Sequence, residues 1–373
     1  MSPDAGTAGA VLHIDLDALV ENYRRLTDRL TSGRCAAVVK ADAYGLGAAR
    51  VAPALAAAGC DIFFVAHTDE GLALRRLMPN PEIYVLNGLP PGGEALFADE
   101  GLSPVLNSLT ELDAWAAFAR SRDPASPPLP PAALHVDTGM SRLGLPDDEL
   151  ATLEREPGRL VGVRLGYVIS HLACADEPEH PLNREQLAAF MAARAALPAC
   201  PASFANSSGI FLGPDYHFDL VRPGIALYGG NPTPGKPNPM AEVVRLQGRI
   251  VQVREIDSPR TVGYGAAHRV AGPTRIATVP VGYADGFLRA LGNRACGYIG
   301  SIRVPVVGRV SMDLITLDVS AVPPADARPG RFVDLIGGPL DIDSLAALAG
   351  TISYELLTRL GGRLARVYEG GAA

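Results

Sequence analysis

Apolar residues cluster in short runs along the first two-thirds of the chain, separated by segments with a longer period. The runs Ala36–Lys40, Ile62–Ala66, Ile83–Leu86, Ser103–Leu106, Leu134–Asp137, Val161–His171, Ser203–Asn206 and Phe218–Val221 predict strands, most of them followed by Gly, Asn, Asp or Ser. Between them, Leu109–Arg120 places Leu112, Trp115, Ala116 and Ala119 on one helical face. Arg184–Leu197 does the same with Leu187, Phe190, Met191 and Leu197. About eight strands interleaved with helices predict an α/β fold, a (β/α)8 TIM-type barrel. An open doubly wound sheet is the competing architecture, but such sheets usually have fewer strands.

The pattern changes after Asn231–Pro239, a Pro-rich break. Beyond it, Glu242–Glu255, Thr274–Val281, Cys296–Val307 and Met312–Val319 read as strands joined by Gly and Pro turns. One helix follows, opened by Asp341 and Asp343 and carrying Leu345, Leu348, Ile352, Leu356 and Leu360. The chain therefore divides into a barrel over residues 12–235 and a mainly β C-terminal domain over 236–373. A strand near 11–16 is a candidate addition to the second domain.

Composition narrows the class of partner. With 48% hydrophobic and 20% charged residues over 373 positions, the chain can bury large cores and is not disordered. A net charge of −7 and only 6% aromatic residues argue against nucleic acid and anionic membranes as partners. The five cysteines (Cys35, Cys60, Cys174, Cys200 and Cys296) are scattered and odd in number, without metal-site spacing. They read as reduced thiols of a cytoplasmic protein, and no metal site is expected. The N-terminal stretch is acidic, without the basic start of a signal peptide. The longest uncharged stretch, Ala195 to Pro214, contains Pro198 and Pro201 and cannot span a membrane.

Several segments could carry chemistry. In AVVKADAYGLG (37–47), Lys40 stands at the C-terminal end of an apolar strand, where barrel active sites lie. A desolvated lysine there can act as a nucleophile, whereas a snorkelling lysine would only mark the rim. Tyr44 and two glycines follow within one turn, a setting that a phosphate could approach. In HVDTGMSRLG (135–144), alternation puts His135 and Asp137 on one face, and Arg142 could clamp a carboxylate or be a surface arginine. His171 ends another strand. An isolated His is more often a satisfied core residue than a catalyst. Ser207, Gly224 and Ile225 follow the last two strands, where barrels often bind phosphate, though turn chemistry alone would also place Gly and Ser there.

In combination these segments resemble one family, the alanine racemases, pyridoxal-phosphate enzymes built as a barrel followed by a β domain. The resemblance runs from about Leu12 to the last helix. It rests on the lysine block, DTGMSRLG, Ser170-His171, ANSSG, RPGIALYGG, Tyr264-Gly265, GYADG and Ser311-Met312-Asp313, in family order. It implies interconversion of L- and D-alanine, a small amino-acid substrate, with pyridoxal 5'-phosphate held on Lys40. Tyr44, Ser207, Gly224 and Ile225 would cradle the phosphate, and Arg222 would face the pyridine nitrogen. His171 would link Arg222 to Tyr264, the second base beside Lys40. Arg142 and the backbone of Met312 would hold the substrate carboxylate. A homodimer with shared active sites and a role in supplying D-alanine for peptidoglycan are also implied.

Two positions depart from the family pattern. His135 stands where many relatives carry a lysine, often carbamylated, behind the arginine. A tyrosine that relatives place against the cofactor phosphate falls, by counting, on Gly362, so Tyr354 is left outside the site. Three other readings remain: a broader small amino-acid (serine) racemase, a decarboxylase on the same fold, and a noncatalytic pyridoxal-phosphate binder built on a lone barrel. Arginine at 222 argues against the decarboxylase, which would pair the pyridine nitrogen with an acid. Tyr264 and the β domain argue against the binder.

Overall fold

The computed structural model describes residues 5–371. The first sheet contains nine parallel segments, in the order Arg34–Cys35, Leu220–Val221, Ala202–Ser203, Leu165–Ile169, Ala132–His135, Ser103–Leu106, Glu82–Val85, Ile62–Val65 and Ala37–Val38. The two end segments are halves of one strand, interrupted at Ala36. Ala36 N donates to Val221 O and Val38 N to Pro223 O, whereas Val39 N donates to Phe64 O. The hydrogen bonds thus switch neighbours within four residues, and this strand closes the ring. Its members are buried on both faces, as in Ile62–Val65, because side chains point alternately into the barrel and under the surrounding helices.

Three expectations need correction here. Lys40 does not end a strand but opens a five-residue turn, Lys40–Tyr44. The long apolar run from Val161 is not all strand. Pro157–Leu160 is a 3-10 turn, the strand is Leu165–Ile169, and His171 lies two residues beyond it. The helix predicted from Arg184 spans Leu182–Ala196 and buries Asn183, Gln186, Phe190 and Ala193, while Met191 is exposed. Counting apolar residues alone misplaced the face, because Gln186 is a core residue. It donates to His171 O at 2.9 Å and accepts from Ala173 N at 2.9 Å, so its burial leaves no unmet polar group.

The second layer is a six-stranded sheet in the order Ile302–Pro305, Cys296–Ile299, Phe332–Ile336, Val244–Arg249, Ala10–Asp15 and Ala365–Glu369. Gln252–Ile256, Thr274–Val279 and Ile315–Asp318 form a smaller sheet, and Arg260–Val262 pairs with His268–Val270. The predicted runs from Glu242 and from Cys296 therefore each break into two strands. The single C-terminal helix is also two, Ile342–Ala349 and Ser353–Arg359. Gly350 takes φ 75° and stops the first, the left-handed conformation that glycine adopts without strain. One continuous apolar core runs from the barrel into this sheet. Among the described residues no helix is long and apolar enough to cross a membrane.

Candidate active site

Lys40, Tyr44, His171, Ser207, Arg222, Gly224 and Ile225 line one cavity of about 640 Å³ at the C-terminal mouth of the barrel. Arg142 lies close enough for its charge to bear on Lys40 and His171. Tyr264 and Met312 do not line this cavity. They stand on the β domain, 73% and 53% exposed.

The Lys40 turn has an unusual backbone. Ala41, Asp42, Ala43 and Tyr44 take φ 52°, 53°, 53° and 56°, a left-handed turn built without glycine. Each such residue costs ~1–2 kcal/mol, so the surroundings must hold it in place. Glu70 does part of this. Its carboxylate accepts from Ala41 N at 2.6 Å, Ala66 N at 2.8 Å and His67 N at 3.1 Å. Asp42 accepts from Ala48 N at 2.7 Å and thereby caps the helix Ala48–Ala57. The glycines at 45 and 47 serve packing rather than the approach of a phosphate. A Cβ at Gly45 would sit 2.5 Å from Leu357 O, and one at Gly47 2.3 Å from the Tyr368 hydroxyl.

Burial and the charge of Arg142 lower the Lys40 pKa, partly opposed by Glu70, so its amine is more readily deprotonated than a free lysine's. Arg222 is buried, donating to Ser203 Oγ at 2.5 Å and to Ser170 O at 2.6 Å, and meets His171 Nδ1 at 3.5 Å. Its partners are a hydroxyl, a carbonyl and an imidazole. Burial lowers its pKa to about 10, which leaves it cationic at neutral pH. A guanidinium only donates, so His171 Nδ1 is an acceptor and its proton lies on Nε2. Burial, then Arg222, Arg142 and Lys40, hold the His171 pKa well below 6.5, and the ring is neutral.

Opposite Lys40 is a polar cradle. Ser207 Oγ accepts from Gly224 N at 2.9 Å and Ala226 N at 3.3 Å. A Cβ at Gly224 would fall 2.2 Å from the Tyr44 hydroxyl, so the backbone and that hydroxyl meet only because residue 224 has no side chain. Tyr44 stacks on Tyr228 at 4.6 Å, and the Tyr228 hydroxyl donates to Val38 O at 2.9 Å. Hydroxyls, backbone N–H groups and a depressed lysine in one cavity fit a phosphorylated aldehyde such as pyridoxal phosphate.

The helix Ser353–Arg359 covers this cradle, and Tyr354 lines the cavity with its ring 6.0 Å from that of Tyr44. The tyrosine set aside in the sequence is therefore in the cavity, whereas Gly362 lies outside it. Burial raises the Tyr354 pKa to about 12, so it stays a hydrogen-bond donor. Asn206, of the ANSSG segment, also lines the cavity, as do Thr351, Glu355 and Arg359, which carried no sequence signal of their own. In the DTGMSRLG loop, Asp137 Oδ1 accepts from Gly139, Met140 and Ser141 N at 2.9, 2.9 and 3.1 Å and folds the segment leading to Arg142.

Residues 14–232 match the model of the alanine racemase N-terminal domain, and residues 243–368 match that of the C-terminal domain. The chain belongs to the alanine racemase family. It is 57% identical to an alanine racemase of Rhodospirillum rubrum, over 97% of this chain and 96% of that one. It is 53% identical to a catabolic alanine racemase of Mesorhizobium japonicum, over 98% and 94%. The crystal structure of the Bartonella henselae alanine racemase, which has pyridoxal phosphate covalently bound, superposes with a TM-score of 0.92. That pair is 42% identical over 97% of this chain and 100% of that one.

Proposed function

We propose that this alanine racemase family member interconverts L- and D-alanine with pyridoxal 5'-phosphate, using Lys40 and Tyr264 as the two bases. The observation that carries the reading is the single cavity joining Lys40, His171 and Arg222 to the Tyr44–Ser207–Gly224 cradle. When bound, the cofactor withdraws electrons from the substrate Cα–H bond. Lys40 Nζ takes or returns the Cα proton on one face, aided by its lowered pKa. Tyr264 Oη serves the other face, receiving a hydrogen bond from His171 Nε2. Arg222 keeps His171 in the required tautomer and would offer a bound cofactor's pyridine nitrogen a positive charge rather than an acid. Arg142 and the Met312 backbone bind the substrate carboxylate.

Tyr264 and Met312 do not line the Lys40 cavity of their own chain and are exposed on the β domain, which supports a site completed by a second chain. The active species is a C2 homodimer in which the β domain of one subunit covers the barrel of its partner. The chain has only two lysines, Lys40 and Lys236, which makes the covalent assignment simple to test. Borohydride reduction followed by peptide mapping should place the cofactor on Lys40. A panel of small L-amino acids should show racemisation of alanine above serine. Cofactor fixed on Lys236, or bound cofactor with no racemisation of any amino acid, would refute the reading. For the cellular role we propose cytoplasmic supply of D-alanine for peptidoglycan, so disruption of the gene should make growth depend on D-alanine. Loss of growth only on alanine as carbon source would instead match the catabolic role named for the Mesorhizobium relative.

A further inference from the structure

The strand Ala365–Glu369 lies between the β domain and the Lys40 turn. Strand alternation puts Arg366 and Tyr368 on one face and Ala365 and Val367 on the other. The second face joins a small apolar cluster with Ala8 and Val11. The first reaches across to the barrel. Arg366 donates to Gly45 O at 3.0 Å, and also to Leu360 O at 3.1 Å and Gly361 O at 3.2 Å. The Tyr368 hydroxyl donates to Leu46 O at 2.9 Å, with the Arg50 guanidinium 4.9 Å from its ring. Both acceptors immediately follow the four left-handed residues Ala41–Tyr44.

We propose that Arg366 and Tyr368 are positioning residues for Lys40, clamping the Gly45 and Leu46 carbonyls so that the left-handed turn keeps the lysine aimed into the cavity. Glu70 and Asp42 hold the turn from the barrel side, at Ala41 N and Ala48 N. Among the described residues, these two carbonyls at its far end have no barrel side-chain partner and are held from the β domain. Gly47 lets the hydroxyl approach, since any side chain there would collide with it. The β domain thereby acts on the lysine of its own chain. The proposal rests on Lys40 as the cofactor lysine only for its functional consequence. The mechanical part concerns the turn itself.

The test uses the cofactor-loaded protein with Tyr368→Phe, Arg366→Met and a control, Glu369→Gln. Glu369 is on the same strand but bonds His13 and touches no part of the turn. Hydrogen exchange of peptides covering 41–48 reports the turn, because the amides of Gly45, Leu46 and Gly47 are bonded within it, to Ala41, Ala43 and Asp42 O, and that of Ala43 to Val39 O just before it. Losing one such hydrogen bond should speed their exchange about five- to tenfold in Tyr368→Phe. Release of the visible cofactor chromophore into excess apo-acceptor should accelerate to a similar degree, with the melting temperature near that of the control. Unchanged exchange in Tyr368→Phe would overturn the clamp, even if Arg366→Met fails to fold. Faster exchange with unaltered release would overturn its role in positioning Lys40. Borohydride mapping of the wild-type protein to Lys236 would strike the Lys40 assignment instead, leaving the exchange result to decide the clamp separately.

Discussion

His135 donates through Nδ1 to Oδ1 of Asn107 at 2.7 Å, and the Asn107 amide is fixed by donating to Leu86 O at 3.2 Å and Val105 O at 3.0 Å. The imidazole therefore keeps its proton on Nδ1 and presents a neutral Nε2 lone pair. Burial, with Arg222 and Arg142 adding to it against Asp137, lowers its pKa to about 4. The sign follows from linkage. The unfolded imidazole binds a proton below ~6.5 that the folded one refuses until about 4, so stability should fall as the pH drops through that window. The loss is on the order of 3 kcal/mol and flattens below the folded pKa. Denaturant midpoints at several pH values should show this acid limb, and His135→Asn should weaken it. A neutral imidazole forms no stable carbamate, so removing carbon dioxide should leave activity unchanged.

Gly224→Ala should damage cofactor binding more than folding. Its Cβ would lie 2.2 Å from the Tyr44 hydroxyl, in a cradle closed on the other side by Ser207. Tyr44 must then turn away from the cavity, and overpacking of this kind costs roughly 1–3 kcal/mol. Titration of apoprotein with pyridoxal phosphate should show its Kd rising at least about tenfold, given that a factor of ten is ~1.4 kcal/mol.

Shared sites predict complementation between dead proteins. Lys40→Ala and Tyr264→Phe should each be inactive alone. In a hybrid dimer one site collects both defects and the other collects neither. Random re-pairing makes half the dimers hybrid, so refolding the two together should restore ~25% of wild-type activity. Activity at background, with hybrids demonstrated by mass spectrometry, would place Tyr264 in its own chain's site or remove it from the chemistry.

Arg75 should matter for stability and not for catalysis. It sits at the opposite end of the barrel and donates to five carbonyls, those of Met78, Pro79, Pro81, Glu100 and Gly101. Arg75→Met strands partly buried acceptors and should destabilise the fold by about 2–4 kcal/mol in urea unfolding. Turnover at 25 °C should stay near wild type.

What the sequence disclosed and what it hid follow from where each residue's signal lies. Lys40, His171, Ser207 and Gly224 each follow an apolar run, so strand periodicity pointed to one barrel mouth and the structure brings them into one cavity. Glu70 was hidden because an acidic residue in the first turn of a helix reads as an ordinary cap. Only the fold shows that its carboxylate also holds Ala41 N. Asn107 was hidden for a similar reason, being a polar residue just past a strand whose amide donates to the nearby Val105 O and the distant Leu86 O. Tyr354 was lost because counting along the chain put the family's phosphate-side tyrosine on Gly362, whereas the fold brings Tyr354 to the cavity. Reading Asp341 to Leu360 as one helix hid the fact that the second helix is separately placed over Tyr44. The left-handed turn after Lys40 could not be read from Ala41, Asp42, Ala43 and Tyr44, none of them a residue type that demands it.

The placement of the strand Ala10–Asp15 also governs when the protein can assemble. It pairs antiparallel with Val244–Arg249 and parallel with Ala365–Glu369, so its two edges are filled by segments made long after it. During synthesis at ~5–20 residues per second, its second edge would stay open for roughly twenty seconds to a minute after the strand leaves the ribosome. The barrel can close meanwhile, since its ring needs nothing beyond Pro223. The nascent chain then carries a nearly finished barrel behind an unpaired, apolar strand, the species most exposed to edge-to-edge association. Arrival of residues 365–369 ends that interval and supplies Arg366 and Tyr368 in the same event, so the turn that carries Lys40 is the last part to be tied down.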